Sequence, residues 1–343
     1  MLRTRDIQER LKDIDEFLLE EYKKPKEEKK RDWRTYEQRM SKRIREAIKN
    51  LEPLIDEAVN IIKIHRGKGR KPELTLKQKV ILILLQRLIA KSNRNMAYML
   101  DAFSLLSGMD VSYKTIERLY SDEEVEMALH NLHILILKKK GVKNVDATGD
   151  GTGYSLTIRK HYASEAEKRK DDVKESQTYT SEPEEKEERK AFTYSFKLLD
   201  LSSNMYIARG ISMRSEKEAF ERAQEMLDEI SDEIEIRLNS IRLDRYYSYP
   251  SYVDKFGDAK VYIIPRKNAT LRGSWKWKRT IKEFVRDTSS YLKQYYLREH
   301  SEAEFSVDKR WFGWKVGQKR EDRIDTALAC TDLWHNLFNL YSA

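Results

Sequence analysis

The stretch Val142-Lys143-Asn144-Val145-Asp146-Ala147-Thr148-Gly149 is where the chain changes character. Before it, apolar residues recur at helical spacing. After Gly141 they gather into short runs rich in β-branched and aromatic residues: Val142 to Asp146, Phe192 to Leu201, Tyr206 to Ser212, Ile236 to Leu243 and Lys260 to Pro265, which read as strands. An amphipathic helix, Glu216 to Ile230, separates the third run from the fourth, and Glu283 to Phe312 is largely helical again. Strands interleaved with helices in this order predict an α/β domain over 141–343, a mixed sheet flanked by helices. A charged insertion at 159–190, mostly Glu, Lys, Arg and Asp with Pro183, interrupts it and reads as lying outside the core.

Toward the N-terminus, 75–140 reads as an all-α region with apolar clusters at Val80 to Leu85, Met96 to Leu106 and Val125 to Leu137. Within it, Asn93 to Leu106 is a helix, Gly108 to Val111 a turn, and Ser112 the cap of a second helix that carries Lys114 and Arg118. That is the layout of a helix-turn-helix, whose second helix would present Lys114 and Arg118 to nucleic acid; an ordinary helical hairpin fits the spacing equally well. Residues 67–74 form a basic linker, and Arg66 to Pro72 resembles an AT-hook, although a plain flexible linker is the simpler reading. Residues 1–66 are charged helices with thin apolar stripes.

With 343 residues, 67 Lys+Arg against 58 Asp+Glu and a net charge of +9, the chain favours a polyanionic partner, nucleic acid first. The longest apolar run, Val80 to Leu85, is far too short to span a bilayer, so no membrane partner and a cytoplasmic, nucleoid-associated location are expected. Cys330 is the only cysteine, which excludes an intramolecular disulfide and a cysteine zinc site.

Three carboxylates stand out. Asp146 ends the first strand, before glycines at 149, 151 and 153 that suggest a tight exit or a close backbone approach. An Asp before a Gly is most often a turn residue. Asp244 ends the fourth strand in Ile241-Arg242-Leu243-Asp244-Arg245-Tyr246-Tyr247. Tyr295, Arg298, Glu302 and Lys309 then fall within about 60° of one helix face, with Glu304 and Asp308 on the other side and Glu299 a nearer rival. An aromatic, two cations and one acid do not make a hydrophobic core stripe.

Tyr295-x2-Arg298-x3-Glu302-x6-Lys309 matches the Tyr-Arg-Glu-Lys signature of the insertion-sequence DDE transposases, and the segments around Asp146 and Asp244 look like those that carry that family's two aspartates. Lys309 to Gly313 and Leu333 to Leu337 are similar to its C-terminal helices, so the resemblance covers roughly 75–343. It implies a ribonuclease-H-like fold with Asp146, Asp244 and Glu302 as catalytic metal ligands for two Mg²⁺ or Mn²⁺ ions. It implies double-stranded DNA as partner, both terminal inverted repeats and target, and a homodimer when bound to DNA. The alternatives are a catalytically inactive, domesticated relative that only binds DNA, and another ribonuclease-H-like metal nuclease.

Arg298 and Lys309 are then expected on phosphates beside the scissile bond, and Tyr295 on a sugar or base. Arg272, Trp275, Lys276, Trp277, Lys278 and Arg279 alternate cations with indoles, which suits an unstacked DNA end, though a surface β-hairpin with crossed Trp residues explains the spacing as well. His130 and His133 share a helix face without a third ligand and read as structural.

Overall fold

The computed structural model describes residues 4–23, 32–63, 72–89, 92–94, 96–97, 99–100, 111–156 and 192–342. The AT-hook-like run, most of the first helix-turn-helix helix with its turn, and the charged insertion lie outside the described residues.

Strand β1 does not end at Asp146. It runs from Asn144 to Leu156, straight through the glycines, so the tight exit expected there does not occur. The reason is on the sheet face: a Cβ on Gly149 would stand 2.7 Å from the Phe196 ring and 2.9 Å from Leu198, so small residues let β1 lie under large neighbours without bending. Strands β2 (Phe192–Asp200) and β3 (Met205–Ser212) continue antiparallel from β1. On the other side, β4 (Arg237–Leu243) pairs parallel to β1 and β5 (Lys260–Tyr262) parallel to β4, giving the order β3-β2-β1-β4-β5. The short β6 (Lys315–Val316) joins the far end of β1.

The described helices are α1 (Thr4–Lys23), α2 (Trp33–Asn60), α3 (Leu76–Ile89), α4 (Tyr113–Leu119), α5 (Glu123–Lys140), α6 (Glu216–Ile234), α7 (Trp275–Arg286), α8 (Thr288–Tyr295), α9 (Glu299–Phe312) and α10 (Glu321–Leu340). Several begin where a Ser or Asp side chain accepts a hydrogen bond from an otherwise unpaired backbone N–H: Ser112 at α4, Asp122 at α5, Ser215 at α6 and Ser274 at α7. The Ser112 cap and the helix that follows it are as expected from sequence, but α4 is only seven residues long.

The two faces of the sheet take different partners. Helix α6 covers one, laying Ala219 and Ala223 directly on Gly210 of β3, where a Cβ would clash at 2.1 Å with the Ala219 carbonyl. Phe196, Phe220 and Tyr247 stack together in that layer. Helices α9 and α10 cover the other, which carries a buried charge network: fully buried Lys197 of β2 pairs with Asp308 of α9 at 3.5 Å and with Asp332 of α10 at 2.5 Å. Tyr206 donates to Asp308 at 2.7 Å, and His335 sits 3.1 Å from the same carboxyl. Burial opposes ionisation of His335, yet Asp308 beside it holds its pKa above the ordinary value. This network ties α9 to the sheet from beneath. The buried apolar residues of α1, α2 and α5 join those around β1 and β4 in one contiguous core.

Candidate active site

Parallel pairing sets Gly149 of β1 opposite Leu243 of β4, so the next residue on each strand, Asp150 and Asp244, stand level at the same end of the sheet. Helix α9 runs across that end, with Ser301 against Thr148 at 3.4 Å. One guanidinium joins the acids: Arg298 lies 3.1 Å from Asp150, 3.5 Å from Asp244 and 2.7 Å from Glu302. Three residues far apart in sequence are thereby brought to one cation.

Asp146 is not among them. It lies four residues back along β1, about 13 Å at strand rise, opposite Ser240. Its carboxylate accepts from the Ser240 hydroxyl and is 3.8 Å from Arg242. Its side chain is 52% exposed, against 15% for Asp150. The expected grouping of Asp146 with Asp244 and Glu302 does not form around Arg298: β1 continues past Asp146, and the four residues from there to Asp150 bring the latter level with Asp244.

Burial drives the Asp150 pKa up to about 6; Arg298 and the Gly151 N–H pull it down, while Asp244 and Glu302 push it further up. Among the described residues, no group of three or more His, Cys, Asp or Glu converges tightly enough to hold a metal ion as it stands. The carboxylates are instead spread around the guanidinium. Their hard oxygen donors suit Mg²⁺ or Mn²⁺, so the donor chemistry fits a divalent ion while the present spacing suits Arg298.

The helix that was to carry Tyr295, Arg298, Glu302 and Lys309 on one face is broken. Tyr295 ends α8, a 3-10 turn covers Tyr296–Arg298, and α9 begins at Glu299. Tyr295 is buried, so it does not offer its ring to a sugar or base; it packs instead beneath Arg298, whose guanidinium carbon is 5.8 Å from its centroid. Burial also raises the Tyr295 hydroxyl pKa well above its ordinary value. Lys309 is half-buried, its ammonium 5.3 Å from the Tyr154 ring and 5.5 Å from that of Trp314; burial, then Lys197, lowers its pKa. Exposed Trp314 was not singled out from sequence, since a lone Trp after a glycine carries no periodic signal.

The Arg272–Arg279 stretch is not a hairpin. Ser274 caps helix α7, which separates the two indoles: Trp275 is 73% exposed, whereas Trp277 is 2% exposed and donates its indole N–H to the Thr270 carbonyl at 2.8 Å. Trp277 is a core residue, so its ring does not offer the face to nucleic acid that the sequence suggests. Arg272 and Arg279 are exposed, and Lys278 is half-buried. Lys276 donates to the Gly257 carbonyl at 2.7 Å, and burial, helped by Arg279, lowers its pKa to about 8. Lys114 and Arg118 are exposed on α4. His133 is buried with Nε2 3.2 Å from the Ile207 carbonyl, and burial lowers its pKa to about 4, as a structural imidazole requires. Among the described residues no helix is long and apolar enough to cross a membrane.

Comparison with known proteins gives one informative relative. The chain is 41% identical, over 96% of its length and 94% of the relative's, to the probable transposase for insertion sequence element ISA1214 of Archaeoglobus fulgidus. No family model matches the chain. No solved structure matches it either.

Proposed function

The chain belongs to the insertion-sequence transposases, and from that premise we propose that Asp150, Asp244 and Glu302 are the acids with which it cuts DNA at its element's ends and joins those ends to a target. The observation that carries this reading is the convergence of the three on Arg298. The sheet order, three antiparallel strands followed by two parallel ones, supports a ribonuclease-H-like core in which two acids stand at the ends of adjacent parallel strands and the third arrives on a helix. Tyr295, Arg298, Glu302 and Lys309 occupy the positions of the Tyr-Arg-Glu-Lys signature.

Asp150, Asp244 and Glu302 would hold Mg²⁺ or Mn²⁺, two ions per site, which supply an activated oxygen nucleophile and a stabilised leaving oxygen for in-line displacement. The remaining work falls to the chain's own groups. Buried Lys197, Asp308 and Asp332 hold α9 against the sheet and so fix where Glu302 stands. Lys309, next to Asp308 in sequence and framed by Tyr154 and Trp314, offers a cation to a backbone phosphate, and the exposed Trp314 offers a ring face to a neighbouring base. Exposed Trp275, Arg272 and Arg279, with Lys278 beside them, extend the DNA-facing surface, and Lys114 and Arg118 on α4 do so in the helical region. A homodimer on paired element ends completes the reading.

The test is cleavage of labelled duplexes. The protein should nick duplexes ending in its own element's terminal repeats in Mg²⁺ or Mn²⁺ and not in EDTA, and Asp244→Asn and Glu302→Gln should abolish nicking while retaining binding. Binding without cleavage by the wild type would make it a DNA-binding relative. Preference for branched DNA over element ends would make it a different nuclease.

A further inference from the structure

Arg298 pairs with three acids at once, although a buried cation needs only one or two partners to be satisfied. We propose that Arg298 is the counter-cation of the resting site, that divalent metal must displace it from Asp150, Asp244 and Glu302, and that the displaced guanidinium then binds a DNA phosphate. This rests on the reading of those three acids as the metal ligands.

The two cations compete for the carboxylates. A divalent ion draws on the same three carboxylates that now pair with the guanidinium, and a guanidinium left beside it would be repelled. Arg298 has somewhere to go. Its side chain is 18% exposed, and its backbone sits at the junction of a 3-10 turn and α9. Lys197, another cation held between acids on this face, is fully buried between β2, α9 and α10 and has no such exit. The Tyr295 ring below Arg298 limits retreat into the core, so the side chain moves outward. A planar guanidinium that leaves carboxylates is well suited to phosphate, which offers oxygens in the same bidentate spacing. Metal loading and DNA engagement thus become coupled through one side chain.

The experiment is a calorimetric Mn²⁺ titration of the full-length, DNA-free protein, with Arg298→Gln, Arg298→Lys and Asp150→Asn compared with wild type. Removing the competing cation should tighten Mn²⁺ binding in Arg298→Gln by about tenfold or more, with Arg298→Lys between it and wild type because an ammonium pairs with fewer acids at once. Asp150→Asn should weaken binding. In a second arm, affinity for a short element-end duplex should fall in Arg298→Gln relative to wild type when Mn²⁺ is present and stay the same in EDTA, since in EDTA the guanidinium is held by the acids in any case. If Asp150→Asn weakens Mn²⁺ binding but neither Arg298 variant tightens it, the counter-cation proposal is overturned and the metal site stands. If Asp150→Asn and wild type bind Mn²⁺ alike, both fall together. Should Arg298→Gln not fold, Arg298→Lys alone decides, tighter than wild type in support and equal or weaker against.

Discussion

In metal-free protein, Asp150→Asn is expected to stabilise the fold. Burial moves the Asp150 carboxyl from its ordinary 3.8 up to about 6 even with Arg298 at 3.1 Å. At about 1.4 kcal/mol per pH unit, ionised Asp150 therefore costs the folded state up to about 3 kcal/mol. The sign follows from proton binding. Between pH 3.8 and about 6 the folded chain keeps a proton on Asp150 that the unfolded chain has lost, so wild-type stability declines as pH rises through that window. Below it the carboxyl is neutral in both states, and above it the penalty is constant. Asn is neutral throughout and can still accept from Arg298. Thermal unfolding in EDTA at pH 4, 6 and 8 should show a gain in the Asn variant that is near zero at pH 4 and largest at pH 8. For a chain of this length 3 kcal/mol corresponds to about 4 °C, an upper bound. An Asn variant less stable than wild type at pH 8, or a gain that does not change with pH, would refute the account of Asp150 as a buried acid crowded by Asp244 and Glu302.

Other substitutions probe the supporting structure. Trp277→Ala should destabilise by about 3–5 kcal/mol by emptying a core position, whereas Trp275→Ala should leave stability within about 0.5 kcal/mol and weaken binding to element-end DNA, as paired unfolding and binding curves would show. Lys197→Ala should destabilise by about 3–5 kcal/mol, because Asp308 and Asp332 would remain buried without their shared cation. Gly210→Val should disrupt folding by forcing α6 off β3, visible as loss of soluble protein or of cooperative unfolding.

The sheet was legible because β2, β3 and β4 carry dense apolar and β-branched runs, and α6 because Ala219, Phe220, Ala223 and Leu227 repeat at helical spacing behind the Ser215 cap. The length of β1 was not. Glycines at 149, 151 and 153 have the local signature of a turn, and only the rings of Phe196 and Phe192, supplied by a strand some forty residues later, explain them within a strand. Asp150 was hidden for the same reason, since only its position level with Asp244 across a parallel pair brings it to Arg298. Glu302 and Arg298 were legible from their one-turn spacing, but the 3-10 turn before α9 was not, and it is that turn and the burial of Tyr295 that separate the aromatic from the exposed face. Trp275 and Trp277 alternate in sequence as strand neighbours do; capping by Ser274 made them helix neighbours about 200° apart, one outside and one inside.

The choice between Asp150 and Asp146 bears most directly on the whole account. Metal-dependent nicking of a labelled element-end duplex, measured side by side for Asp150→Asn and Asp146→Asn, separates them. The account predicts that Asp150→Asn binds the duplex without cutting it, while Asp146→Asn, which loses only a contact with Ser240 and Arg242, cuts at close to the wild-type rate. Cutting by Asp150→Asn, or its loss in Asp146→Asn with binding and fold intact, would contradict it.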